Sequence, residues 1–172
     1  MSIEIRQATP EDRGELLELL ARSQEATGIP NPDTYPYSEL EAFLYNPRIY
    51  EEHRYLATIK ALGQIVGHIA IEQPNPQHIP LWLSGITSKN DDQKLVELGG
   101  FFVDPDFEGQ GIMTQLLDFQ LDVVRRTLGA IPVSATWKNS KYNKRVRKIF
   151  NKVGGVYVGE DNQHLLDLFV FQ

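Results

Sequence analysis

The strongest chemical signal in the 172-residue chain lies in Val96-Glu97-Leu98-Gly99-Gly100-Phe101-Phe102-Val103-Asp104-Pro105-Asp106-Phe107-Glu108-Gly109-Gln110-Gly111-Ile112-Met113. The spacing predicts a strand ending in Phe101-Phe102-Val103, a sharp turn from Asp104 to Gly111, and the start of a long helix at Ile112. The first amides of such a helix have no intrahelical partner. With the positive end of the helix dipole they form an anion site suited to phosphate. Gly109 and Gly111 carry no side chain that would hold phosphate oxygens off the backbone. A mononucleotide phosphate loop would need Gly-x-x-x-x-Gly-Lys-Ser/Thr, which is absent. A dinucleotide fingerprint would need glycine where Thr114 stands, and would sit early in a parallel α/β unit.

A second signal is electrostatic. Lys138, Lys141, Lys144, Arg145, Arg147, Lys148 and Lys152 form a run with no acid among them, in a chain whose net charge is -6. A local reversal of sign suggests a phosphate-bearing partner, or simply a solvated helix face. The overall acidity argues against nucleic-acid binding by the whole surface, and only Trp137 and Tyr142 offer stacking surfaces near the run. There are no cysteines, which excludes disulfides, thiolate metal sites and a cysteine nucleophile. His53, His68, His78 and His164 never stand at helical ligand spacing, so no metal site is expected.

The elements that must position these groups fit one mixed α/β domain over residues 1–172, a length able to bury roughly 70% of its unfolded surface. Ile3 to Arg6 reads as a short strand, and Thr9-Pro10-Glu11-Asp12 as a capped helix start. Leu16, Leu17, Leu19 and Leu20 give that helix its apolar face up to about Ala26. A shorter helix is expected from Ser38, closed by Asn46-Pro47. Tyr55–Lys60 and Ile65–Ile71 predict an antiparallel hairpin. Residues 73–94 read as a long polar loop with a brief ordered piece at Leu81-Trp82-Leu83. An amphipathic helix follows over Ile112–Leu128, then a strand over Ile131–Trp137 and a helix over Asn143–Val153 stopped by Gly154-Gly155. Val156-Tyr157-Val158 and Leu165–Phe171 form a closing hairpin.

The anion-loop segment resembles the acyl-CoA-binding motif of the GNAT (Gcn5-related N-acetyltransferase) superfamily, Gln/Arg-x-x-Gly-x-Gly/Ala after a strand ending in valine with a proline close by. The matching window is Glu108-Gly109-Gln110-Gly111-Ile112-Met113 behind Phe101-Phe102-Val103-Asp104-Pro105. Ile3 to Asp12 is similar to the family's opening. Asn143 to Gly154 is similar to its late helix, Asn-x-x-Ala-x-x-x-Tyr-x-x-x-Gly. The order of elements matches across nearly the whole chain. Two departures stand out: Glu108 replaces glutamine or arginine, and Met113 replaces a small residue.

The resemblance implies an α+β (mixed α/β) fold, a twisted, mostly antiparallel sheet with helices on both faces in three layers. It implies acetyl-CoA as cosubstrate without a metal, and acetyl transfer to a primary amine by direct attack on the thioester. Glu97 matches a strand position where many members carry an acid, and is the first candidate for the base. Phe101, Phe102 and Val103 match the main-chain positions that hold pantetheine and polarise the thioester. Phe150 stands where the family commonly offers a tyrosine to the leaving thiolate, so Tyr142 or Tyr157 would have to reach in. Asn143 matches a cofactor-contacting asparagine. The backbone amides remain despite Glu108, so CoA binding is expected to be weakened rather than lost.

The partner expected is an amine-bearing small molecule or peptide, with neither membrane nor nucleic acid involved, and a homodimer is compatible with it. Specificity is expected from residues 27–54, with Tyr35, Tyr37, Tyr45, Tyr50 and Tyr55, and from residues 73–94. The surplus of acids outside the basic run slightly favours a cationic acceptor. The alternating, acid-bearing N-terminus lacks the pattern of a signal peptide, and no window is apolar enough to span a bilayer, so a cytoplasmic protein is expected. The rival is a catalytically degenerate CoA or acyl-CoA sensor, favoured by Glu108, Met113 and Phe150. A nucleic-acid-binding domain using residues 138–152 ranks last.

Overall fold

The computed structural model describes residues 2–27, 47–59, 62–86, 94–138, 140, 142–163 and 165–171. The helix expected from Ser38, and Tyr35, Tyr37 and Tyr45 with it, lie outside the described residues, as do Lys141 and His164. The chain begins with β1 (Ile3–Gln7), a 3-10 turn at Pro10–Asp12 and α1 (Arg13–Thr27). As the capping pattern predicts, the Asp12 carboxylate accepts from the Thr9 N–H at 2.8 Å and from the Thr9 hydroxyl at 3.1 Å. β2 (Ile49–Ile59), β3 (Ile65–Glu72) and the short helix α2 (Ile79–Ser84) follow. Then come β4 (Leu95–Val103), a 3-10 turn at Pro105–Phe107 and α3 (Ile112–Val123), which ends in one π-helical turn at Val124–Leu128. β5 (Ile131–Trp137), α4 (Asn143–Lys152), β6 (Gly155–Asp161) and β7 (Leu166–Phe171) complete the chain.

The strands form one seven-stranded sheet in the order β1-β2-β3-β4-β5-β7-β6. Every pairing is antiparallel except β4 with β5. α1 buries Leu16, Leu17, Leu19 and Leu20 with Leu56, Ile65 and Phe102, and α2 buries Trp82 with Val133, Leu168 and Val170. The opposite face carries α3 and α4, whose Ile112, Leu116, Leu117 and Phe150 pack with Val66, Ile69, Ile71 and Leu98. The mixed sheet with helices on both faces is thus as the resemblance implied.

One strand differs from expectation. β2 begins at Ile49, well before Tyr55, and its charged stretch ends in a buried arginine. Arg54 is 2% exposed and donates from Nη1 to His68 Nε2 at 3.1 Å. The ordered piece in residues 73–94 is a helical turn anchored by fully buried Trp82.

The parallel β4–β5 ladder is short. It runs only from Leu95 opposite Ile131 to Leu98 opposite Ser134. Beyond Leu98 the strands part. β4 continues against β3 alone, and β5 against β7 alone. β4 is also irregular where it passes β3, between the pairs His68–Phe102 and Ala70–Gly99. Gly100 at the irregularity has φ +62°, a left-handed conformation that side-chain-bearing residues rarely adopt. The imidazole of His68 closes over this irregularity: it lies flat on Phe102, with ring centroids 4.6 Å apart, and its Nδ1 is 2.7 Å from the Gly100 carbonyl. Arg54 can only donate, so Nε2 accepts and Nδ1–H donates to Gly100. Burial and Arg54 hold the pKa of His68 down to about 3, and the ring is neutral.

Candidate active site

The gap between the parted strands opens into a cavity of about 730 Å³, within the range of small-molecule sites. One wall is the backbone of Gly99 to Val103, freed from β5; another is the anion loop with the first turn of α3. The loop is positioned from within the fold. Asp104, 2% exposed, accepts from the Asp106 N–H at 3.1 Å and from Arg22 of α1 at 2.8 Å. Gly109 and Gly111 both have φ near +80° (+80° and +78°), which turns the chain into the helix. The first α3 bond runs from the Gln115 N–H to the Gly111 carbonyl at 3.0 Å, so the amides of Ile112, Met113 and Thr114 have no intrahelical acceptor. Arg145, Lys148 and Lys152, spaced by three and four on α4, supply cations to the same cavity. Free amides, a helix N-terminus and three cations suit a large anion of the pyrophosphate type.

The structure gathers most of the residues singled out from sequence, and leaves some elsewhere. Glu97, Phe101, Phe102, Val103, Glu108, Gly109, Gly111, Ile112, Met113 and Tyr142 line the cavity. Gln110 lies in the loop but is not part of the lining. Phe150 is fully buried among Phe101, Phe169 and Phe171, a packing role in the core below the site. Asn143 neither caps its helix nor reaches the cavity. Its Nδ2 donates to the Trp137 carbonyl at 3.1 Å and to Asp167 at 3.0 Å, tying the start of α4 to β5 and β7. Tyr157 lies on β6 outside the cavity, its hydroxyl on Glu160 at 3.0 Å and its ring under Arg147. Tyr50 and Tyr55 are also outside the lining; Tyr55 packs against Phe119 of α3.

Glu108 is exposed, yet its carboxylate is engaged by neighbours. Its carboxylate accepts from the Tyr142 hydroxyl and pairs with Arg145 at 3.3 Å. The Tyr142 phenol is pushed up to about 12 by burial and by Glu108, which makes it a poor proton donor.

Glu97 is not the solvated strand-edge carboxylate that its position on the chain would allow. Its side chain is 13% exposed, and Oε2 accepts from Arg48 Nη2 at 2.5 Å and from the Asn75 N–H at 2.9 Å. Its pKa is raised: burial is the largest cause, and Arg48 and the Asn75 N–H offset only part of it. Opposite it on β3 stands Glu72, which the sequence reading did not single out; burial, then the charge of Glu97, push its pKa up to about 7. Only the β3–β4 register brings the two acids together, and no local motif announces it. Among the described residues no group of three or more potential ligands could hold a metal ion. Nor is any described helix long and apolar enough to cross a membrane.

Among the described strands the sheet parts at the parallel β4–β5 seam, and the anion loop stands in that gap. The chain belongs to the GNAT acetyltransferase family: residues 15–155 match the model described as "Acetyltransferase (GNAT) family". No curated protein matches it. Among solved structures, PH1933 from Pyrococcus horikoshii superposes with a TM-score of 0.73 at 16% identity, covering 99% of this chain and 98% of that one. The PaiA N-acetyltransferase of Thermoplasma acidophilum, solved with coenzyme A, gives a TM-score of 0.69 at 16% identity, covering 100% and 99%. A GNAT family acetyltransferase from Brucella melitensis, solved with acetyl-CoA, gives 0.62 at 17% identity, covering 99% and 89%.

Proposed function

We propose that the chain, acting as one domain in the cytoplasm, transfers an acetyl group from acetyl-CoA to a primary amine of a small molecule or peptide. The observation that carries this reading is the cavity itself. One continuous space joins the anion loop, the unpaired backbone of β4 and the carboxylate of Glu97. Acetyl-CoA would supply the activated thioester, and the α3 amides with Arg145, Lys148 and Lys152 would hold its phosphates. Main-chain groups from Phe101 to Val103, unpaired on the β5 side, would orient the thioester and polarise its carbonyl. An alkylamine is mostly protonated at neutral pH and must shed a proton before it can attack. Glu97 places negative charge on the acceptor's side of the gap and binds the ammonium group there.

Thermal unfolding with saturating acetyl-CoA, with free CoA and ATP as controls, tests the reading. A ligand at about 100 times its dissociation constant adds about 2.7 kcal/mol, a rise of a few degrees for a domain of this size. The expected result is a rise confined to the CoA species, followed by amine-dependent release of free thiol. A rise without thiol release across a panel of amines would instead mark the chain as a CoA-binding module. No rise at millimolar ligand would overturn the cofactor assignment.

A further inference from the structure

Acetyl transfer to an alkylamine needs a group that removes the ammonium proton, and Glu97 is too well served to be that group. Arg48 and Asn75 both donate to its Oε2, and each favours its ionised, proton-free form. Glu72 is served quite differently. Its side chain is equally buried, at 13% exposure, yet Arg48 Nη2 stands 3.8 Å from it, beyond hydrogen-bond reach. Among the described residues its carboxylate accepts no hydrogen bond.

Its position is fixed by the sheet. Glu72 faces Glu97 across the β3–β4 ladder, and its carboxylate occupies the notch left by Gly99, where any Cβ would overlap it. Gly99 and Glu97 both line the cavity at the point where β4 leaves β5. Glu72 is not itself part of the lining; its carboxylate lies against Gly99, which is, next to the place where Glu97 would draw an amino group.

We propose that Glu72 is the base of the reaction, taking the proton from the acceptor's ammonium group while Glu97, paired with Arg48, holds that group in place. This rests on the acetyl-transfer reading above. The proton moves from nitrogen to a Glu72 oxygen, leaving a neutral amine and a neutral carboxyl. The nitrogen lone pair then forms the C–N bond as the C–S bond breaks, and the second nitrogen proton leaves with the thiolate.

The charged groups around Glu72 agree with this division. Glu97 on β4 opposes its ionisation, while Arg48 before β2 and Arg54 on β2 favour it. His78, at the turn into α2, acts on Glu97. Burial outweighs the two arginines and leaves Glu72 titrating at about 7, where a general base works best.

Two primary amines of the same chain length test the assignment: ethylamine, a cation at neutral pH, and 2,2,2-trifluoroethylamine, which is neutral there and needs no base before attack. Thiol release from acetyl-CoA is followed for the wild type, Glu72→Gln and Glu97→Gln. Glu72→Gln is expected to lose about 100-fold or more in kcat/KM with ethylamine and to stay within a few-fold of wild type with trifluoroethylamine. Glu97→Gln is expected to raise KM for the cationic amine. Equal losses on both amines in Glu72→Gln, or no loss on either, overturn the assignment of Glu72 alone. A wild-type chain that releases no thiol with either amine overturns the transferase reading beneath it. Retention of the acetyl-CoA thermal shift in both variants confirms that the fold and the anion loop are intact.

Discussion

Arg145 and Glu108 meet across the mouth of the anion loop, Nη1 to Oε2 at 3.3 Å. Arg145 Nη2 lies 3.4 Å from where a Cβ at Gly109 would stand. The guanidinium sits over the backbone that would cradle a phosphate, and a carboxylate of the protein already engages it. Glu108 thus competes with the ligand for its own cation.

Glu108→Gln should free Arg145 and tighten CoA binding. The pair is exposed by 47% and 32%, so the gain is modest, about 1 kcal/mol or roughly fivefold in affinity. Titration calorimetry at low and high salt checks it, because the gain should shrink with ionic strength. Weaker binding in the variant would mean that Glu108 supports the loop more than it opposes the ligand.

Gly111→Asp should abolish CoA binding. The position has φ +78° and stands at the N-terminus of α3, so the change strains the turn and adds a negative charge at the anion site. The variant should keep a cooperative unfolding transition and lose the acetyl-CoA-dependent rise in Tm. An unchanged rise would remove the loop from the cofactor site.

His68 should make the protein sensitive to acid. Its pKa in the fold is about 3, against 6.5 for an ordinary histidine, so its contribution is complete above pH 6.5 and is lost as the pH falls toward 3. By pH 5 the loss is about 2 kcal/mol. Urea midpoints at pH 7 and 5 should fall farther in the wild type than in His68→Gln, which has nothing to protonate. Equal drops would show that the imidazole does not govern the acid limb.

Glu72 should act in the opposite direction. Its pKa is raised from 4.5 to about 7, so the fold is favoured while the group is protonated and is weakened as the pH rises through that window. Glu72→Gln should therefore be more stable than the wild type at pH 8, by about 1–3 kcal/mol, and should differ little near pH 4.5. Chemical denaturation at the two pH values measures this; a variant that is less stable at pH 8 would show that the carboxylate is well paired.

The strand, turn and helix around the anion loop were legible because their signals are local: an apolar run, two glycines, and a three-four apolar repeat from Ile112. The long β2 was not, because Glu52, His53 and Arg54 look solvated until the paired strand supplies His68 to Arg54. Glu72 is silent for a related reason. Its neighbour Glu97 lies 25 positions away, and only the β3–β4 register unites them. Gly99-Gly100 was the available clue, since adjacent glycines in a strand often mark an irregularity or a close approach. Phe150 and Asn143 stand at family positions in order, yet the first is claimed by the core and the second by strand tethering.

The short seam from Leu95–Ile131 to Leu98–Ser134 divides the sheet into two unequal leaves. The first, β1 to β4, is an antiparallel meander of neighbouring segments. The second, β5 to β7, holds together through its own hairpin and α4. Amide hydrogens of the two leaves should therefore exchange as separate cooperative units, with the free edge of Phe101 to Val103 the least protected part of β4. Whatever fills the wedge takes the place of the missing rungs. Binding would then be read across the whole molecule as a merging of two unfolding events into one.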